Sequence, residues 1–214
     1  MAKVTALKVQ ARNKNRVNVY LDDEFAFGLA KIEAARLRVG QTLSEADVER
    51  LKQADVAESA YEMALKFISY RSRSEAEVRQ NLKKKDVAED VIDGALARLR
   101  RAGLVDDDGF ARYWVENRSA FRPKGKRALK VELRQKGVPP KAIEEALAGT
   151  DDAAVARQLA AARAPRLKGL PERDFRRKLG EYLARRGIDY ETISEAVERA
   201  WREHGGEHST ESED

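Results

Sequence analysis

Apolar and polar residues alternate at the start of the chain, in TALKVQAR (5–12) and again in RVNVYL (16–21). Asn13, Lys14 and Asn15 separate the two runs, which together read as a β-hairpin. Asp22 and Asp23 mark a second turn into EFAFG, a third strand. A sheet this small needs something to rest on, and the helical pattern from Leu29 to Leu37 is the expected support. Ser44, with Asp47 three residues on, predicts a capped helix running to about Gln53. Residues 1–53 therefore read as a small α+β module.

From Val56 the period changes from two to that of a helix. AYEMALKFISY places Tyr61, Leu65 and Ile68 on one face, with Ala60, Ala64 and Phe67 beside them. An internal repeat follows. Leu82, Val87, Ile92 and Leu96 recur as Leu133, Val138, Ile143 and Leu147, then as Leu183, Ile188, Ile193 and Val197, with identical internal offsets. Val78, Leu129 and Leu179 sit four residues ahead of each copy. Each copy predicts two short helices around a turn, with Gly137 and Gly187 placed where a left-handed residue ends a helix, and Asp86 in the first copy. Helices of about ten residues do not persist alone in water, so each pair needs a third helix or a neighbouring unit.

That third helix is expected to complete the unit ahead of it. LVDDDGFARYWVENRSA aligns with GTDDAAVARQLAAARA, and both place aspartates before an apolar helical stripe. Asp106, Asp107, Asp108, Asp151 and Asp152 read as helix-starting residues, since carboxylates accept bonds from unpaired N–H groups and complement the dipole. An EF-hand reading fails, because Gly109 at the sixth loop position would put Leu104 first and Val115 twelfth. Phe110 and Trp114, four apart, read as core anchors, with Arg118 one turn beyond Trp114 on the same face.

The resulting architecture is mainly α: a tandem array of three three-helix, helix-turn-helix-like repeats behind a module with a β-hairpin or three-stranded sheet. The expected boundaries are 1–53, 54–118, 119–165 and 166–204, with a disordered acidic tail at 205–214.

Composition narrows the function. The 214 residues include no cysteine, which excludes thiolate chemistry and disulfides, and no apolar run approaches the length of a membrane span. The two histidines, His204 and His208, fall in the polar C-terminal segment, which excludes a His-based triad in the folded body. No phosphate-cradling loop or metal-binding motif occurs, so neither a cofactor nor catalysis is expected. A cytosolic monomer is expected.

The net charge of +5 is unevenly spread. Residues 71–136 carry 18 Lys/Arg against 11 Asp/Glu and residues 163–186 carry 9 against 3, while residues 203–214 carry five acids and no Lys or Arg. A basic body suits phosphates or an acidic protein partner. The segment RSAFRPKGKRALK reads as a mobile basic connector between repeats.

AYEMALKFISYRSRSEAEV, GLVDDDGFARYWVENR and LKVELRQKGVPPKAIEEAL, in that order and spacing, resemble the RecX regulatory proteins that act on the RecA recombinase. The likeness covers residues 60 to about 200, and the front module looks like the extension carried by some members. Asp86 departs from the glycine usual in the first repeat. The resemblance implies a helical protein that binds in the groove of the RecA–DNA filament and lowers strand exchange, ATP hydrolysis and coprotease activity. The residues expected to contact the filament, or DNA phosphates non-specifically, are Arg71, Arg73, Lys83, Lys84, Arg118, Arg122, Lys124, Lys126, Arg127, Arg176, Arg177, Arg185 and Arg186. The rival is a helix-turn-helix transcriptional regulator, against which the acidic second helices EDVIDGAL and KAIEEAL argue.

Overall fold

The computed structural model describes residues 1–204. The acidic segment 205–214, with His208, lies outside the described residues, whereas His204 is the last residue of the final helix rather than part of a tail. The described residues form two compact units that divide between Val105 and Asp106.

The first unit begins with an antiparallel sheet of β1 (Ala2–Val9), β2 (Arg16–Leu21), β3 (Glu24–Ala30) and β4 (Thr42–Leu43), ordered β3-β2-β1-β4. The two-residue turn at Asp22 and Asp23 puts both at positive φ, 48° and 69°. Such a turn matches the twist of a hairpin and normally uses Asn or Gly. Two contacts from β1 hold it here: Lys3 N–H donates to Asp22 Oδ1 at 2.9 Å, and Asp23 N–H donates to Thr5 Oγ1 at 2.9 Å.

The predicted helix from Leu29 to Leu37 is instead one turn, α1 (Lys31–Ala34). Ladder pairing with Val17 and Arg16 draws Leu29 and Ala30 into β3. Support for the sheet comes from α2 (Glu45–Ile68), which starts at the Ser44/Asp47 capping box and runs on past Gln53, since no Gly or Pro interrupts residues 45–68. Its first half brings Val48 and Leu51 against Val4, Val17, Val19, Phe27 and Leu29. Asp55 ties the two elements together, accepting from Ala30 N–H at 2.6 Å and from Arg16 Nη2 at 2.7 Å.

The second half of α2 leads the first three-helix bundle. Ala60 and Ala64, fully buried, pack on Val78 and Leu82 of α3 (Glu75–Lys83) and on Ile92, Leu96 and Leu99 of α4 (Glu89–Arg101). In the second unit, α5 (Asp107–Phe121) leads α6 (Lys126–Gln135) and α7 (Pro140–Leu147), with Phe110 and Ala111 packed among Leu129, Leu133, Ile143 and Leu147. Next, α8 (Asp152–Arg163) and a 3-10 turn (Ala164–Leu167) lead α9 (Glu172–Arg185) and α10 (Tyr190–His204). The expectation that the Asp-headed helix closes the unit before it is thereby corrected: it opens the unit that follows. Its apolar face carries Phe110 and Ala111 into the core of the next pair.

Fifteen anchors were expected from the repeat, and all are buried except Val87 and Ile193, which are partly buried. The three turns share one geometry. Asp86, Gly137 and Gly187 take φ of 57°, 73° and 82°, and the next residue's N–H donates five residues back: Val87 to Leu82 at 3.3 Å, Val138 to Leu133 at 3.1 Å, Ile188 to Leu183 at 3.3 Å. This bond, with the apolar contact it brings, closes each helix C-terminus.

Asp106 and Asp151 are the N-caps of α5 and α8, accepting from Asp108 N–H and Ala154 N–H at 3.0 Å each. Asp152 instead reaches back to accept from Lys126 N–H at 2.8 Å, capping α6, whose own N-cap is the side-chain-less Gly125.

Glu132 on α6 gathers the second bundle. It accepts from Trp114 Nε1 and Arg118 Nε at 2.8 Å each and from Lys124 Nζ. Arg118 also lies over the Trp114 ring, 4.3 Å from its centre. Burial alone would raise the Glu132 carboxyl, but its bonds to Lys124, Arg118 and Trp114 outweigh that and hold it below the usual carboxylate range.

Three substitutions test these contributions to stability. Asp86→Gly relieves a left-handed non-glycine and is expected to add about 1 kcal/mol, whereas Gly187→Ala is expected to lower the melting temperature, because its Cβ would stand 2.4 Å from Ala128 Cβ. Glu132→Gln is expected to cost about 2 kcal/mol. A depressed folded pKa stabilises above the unfolded value and loses that contribution as pH falls through the folded one. Thermal unfolding from pH 7 downward should therefore show an acid-sensitive decline below about pH 4 that is shallower in Glu132→Gln.

Candidate functional site

The structure sorts the thirteen candidate cations by what already holds them. In the first unit Arg71 grips Glu77 with two bonds, at 2.9 and 3.3 Å. Arg73 lies over the Phe67 ring at 4.0 Å, its side chain 16% exposed, and burial pushes its guanidinium below the ordinary range. Lys83 pairs with Glu89 at 2.9 Å, and Arg79 grips the same carboxylate. Lys84, exposed at the end of α3, has no acidic partner among the described residues.

In the second unit Arg118 and Lys124 are committed to Glu132. Arg176 bridges Glu172 at 2.7 Å and Glu198 at 2.5 Å, and those bonds hold its guanidinium above its usual value. Arg177 sits between Asp174 at 3.1 Å and Glu181 at 3.3 Å, and Arg185 reaches Glu181 only at 4.0 Å. Intrahelical pairs of this exposed kind are weak and yield to a better anion. The side chains of Arg122, Lys126 and Arg127 are exposed and form no ion pair among the described residues, although Lys126 donates its backbone N–H to Asp152.

Those unneutralised cations surround one contact between the second and third bundles. Gly125 N–H donates to the Arg186 carbonyl at 2.9 Å, and a Cβ on Gly125 would meet Gly187 O at 2.6 Å. Arg186 Nη1 reaches the Pro123 carbonyl at 3.4 Å, and its guanidinium lies 5.1 Å from the Tyr182 ring centre. The expected mobile connector is therefore corrected: its backbone is pinned by a glycine-to-backbone approach that no side chain could replace. Its side chains Arg122, Lys126 and Arg127 are exposed without an ion pair among the described residues.

Beside this junction lies a cleft of about 380 Å³, lined by Phe121, Arg122, Pro123, Gln158, Leu159, Ala162, Tyr182 and Arg186. Phe121 is 77% exposed. Sequence patterning did not single out Phe121 or Tyr182, because Phe121 falls at the last turn of α5, seven residues past Trp114, where helical spacing reads it as one more core anchor. Among the described residues no group of three or more His, Cys, Asp or Glu could hold a metal, and no helix is long and apolar enough to cross a membrane. The arrangement offers charge, ring faces and a shallow apolar floor, which are means of binding.

Comparison with known proteins agrees with this architecture along most of the chain. Family models described as the first, second and third three-helix domains of RecX match residues 60–99, 106–147 and 150–197, and one described as the regulatory protein RecX N-terminal domain matches 2–44. The regulatory protein RecX of Bacillus licheniformis is 32% identical over 203 residues, covering 92% of this chain and 77% of the relative. That of Listeria innocua is 33% identical over 147 residues, 68% of this chain but only 55% of the relative. A crystal structure of regulatory protein RecX superposes with a TM-score of 0.77 at 29% identity, over 92% of this chain and all of that one. The crystal structure of RecX from Lactobacillus salivarius gives 0.63 at 27% identity, over 69% and 97%. With four domain models matched in order and the three-helix bundles where those models place them, the chain belongs to the RecX family of regulatory proteins.

Proposed function

We propose that this chain is a negative regulator of the RecA recombinase that binds the RecA–DNA filament in the cytosol and lowers its ATP hydrolysis, strand exchange and coprotease activity. The observation that carries this reading is the cluster of unpaired cations, Arg122, Lys126 and Arg127, around the Gly125–Gly187 contact between tandem bundles. A filament presents the same surface at regular intervals, and linked bundles engage it with weak contacts that gain effective concentration from one another. The chain acts by binding as a monomer, with no cofactor of its own.

Non-specific contact with DNA phosphates is compatible with the same cations. Groove reading by a helix-turn-helix is less well supported. The second helices carry exposed acids, Asp90 on α4 and Glu144 and Glu145 on α7, which disfavour insertion beside phosphates.

The test is RecA's DNA-dependent ATP hydrolysis during titration with this protein, beside a measurement of its DNA binding alone. Inhibition below one protein per RecA subunit is the expected result; inhibition only once the DNA is saturated would favour the DNA-binding reading. Changing Arg122, Lys126 and Arg127 together to Ala should weaken inhibition about tenfold with little change in melting temperature, and equal inhibition by this variant would remove these residues from the interface.

A further inference from the structure

The cleft beside the Gly125–Gly187 contact has a chemistry of its own. Its floor is aliphatic, made by Leu159, Ala162 and Pro123, its lip carries the exposed Phe121 ring, and no Asp or Glu lines it. Two arginines border it: Arg122 is exposed without an acidic partner among the described residues, and the Arg186 side chain meets Tyr182 and the Pro123 carbonyl, with no ion pair among the described residues. At about 380 Å³ the cleft is open to solvent and has room for a side chain of a docked segment.

Three occupants compete for such a place. Single-stranded nucleic acid would stack bases on exposed rings, but Tyr182 already carries the guanidiniums of Arg163 and Arg186 at 5.6 and 5.1 Å, which leaves Phe121 alone as a platform. The chain's own C-terminal segment GGEHSTESED supplies carboxylates yet has no apolar side chain for the floor. A protein segment with an aliphatic or aromatic side chain next to Asp or Glu satisfies both parts: the side chain fills the floor against Phe121 and the carboxylates meet Arg122 and Arg186.

We propose that the cleft between the second and third bundles is a docking site for an acidic, apolar-anchored segment of a protein partner. This inference rests on the filament-directed reading above and names the surface through which the partner protein, rather than DNA, is held. Arg186 is held against Tyr182 in advance of docking, and Phe121 and Arg122 close over the anchor from the end of α5.

The experiment places the photoreactive residue p-benzoylphenylalanine at position 121 of the full chain and irradiates it with RecA assembled on single-stranded DNA. The unaltered protein is first shown to inhibit ATP hydrolysis in the same mixture. The expected result is a cross-link to a RecA segment in which an apolar residue lies beside Asp or Glu. Phe121→Ala and Arg122→Glu, both at exposed positions, should each raise the concentration for half-inhibition about tenfold without moving the melting temperature. Cross-links to DNA, to residues 205–214 or to a non-acidic RecA surface would overturn the proposal, as would full inhibition by both variants, while leaving the filament reading in place. No inhibition by the unaltered chain would remove that reading and this inference together.

Discussion

Everything after α2 is governed by the shortness of its helices. None from α3 to α10 exceeds 15 residues, and α6 and α7 have 10 and 8. At that length a helix in water is marginal, and it persists here because apolar residues four apart are buried against two neighbours. Each fully buried leucine or isoleucine contributes about 2 kcal/mol, and Leu129, Leu133 and Ile143 all reach full burial in the second bundle. With so little room for error along each helix, the ends must be closed well. That explains why one C-terminal geometry recurs at Asp86, Gly137 and Gly187 even where the residue is not glycine.

The same economy of core leaves a surface dense in charge, and most of that charge is internally answered. Glu77, Glu89, Glu132 and Glu198 each hold at least one of the cations that composition alone would offer to a partner. Glu132 does most, because the Trp114 indole must find an acceptor when partly buried and the same carboxylate then draws in Arg118 and Lys124. Among the thirteen candidate cations, Arg122, Lys126 and Arg127 remain without a side-chain ion pair among the described residues beside the Gly125–Gly187 contact, and Lys84 remains so in the first unit. A regulator that works by binding needs such a residue of unspent charge on a fixed frame.

The junction between the last two bundles supplies that frame. Gly125 and Gly187 let backbone approach backbone, and Asp152, at the start of one bundle, caps the first helix of the pair in the other. A segment that reads as a loose linker thus becomes part of a continuous packed surface, with a cleft at its side. The two tandem aspartates at 151 and 152 divide the work of capping between α8 and α6, so one dipeptide fixes both a helix start and the docking of two bundles.

Local chemistry settled the elements. Alternation at 5–12 and 16–21, the Ser44/Asp47 box, the four-residue anchor spacing and the aspartates before α5 and α8 are each written in neighbouring residues, and the elements formed at those signals, except that β1 lies three residues earlier than its alternation, at Ala2–Val9. Overlapping local signals were less informative: Leu29 and Ala30 suit helix or strand and joined the strand their ladder partners offered, β4 is too short to leave a pattern, and nothing near Gln53 told where α2 would stop. The candidate site was legible as a composition, in the basic stretches around Arg122 and Arg186, and illegible as a place. Which cations stay free depends on carboxylates brought to them from other helices, as Glu132 is brought to Arg118, 14 residues away, and Glu198 to Arg176, 22 away. The sequence by itself determined the helices, their caps and the buried stripe, because those depend on neighbours within a few residues; only the tertiary structure decided which helix opens each bundle, which charges remain unpaired and where Phe121 stands exposed, because those depend on contacts that chain order does not record.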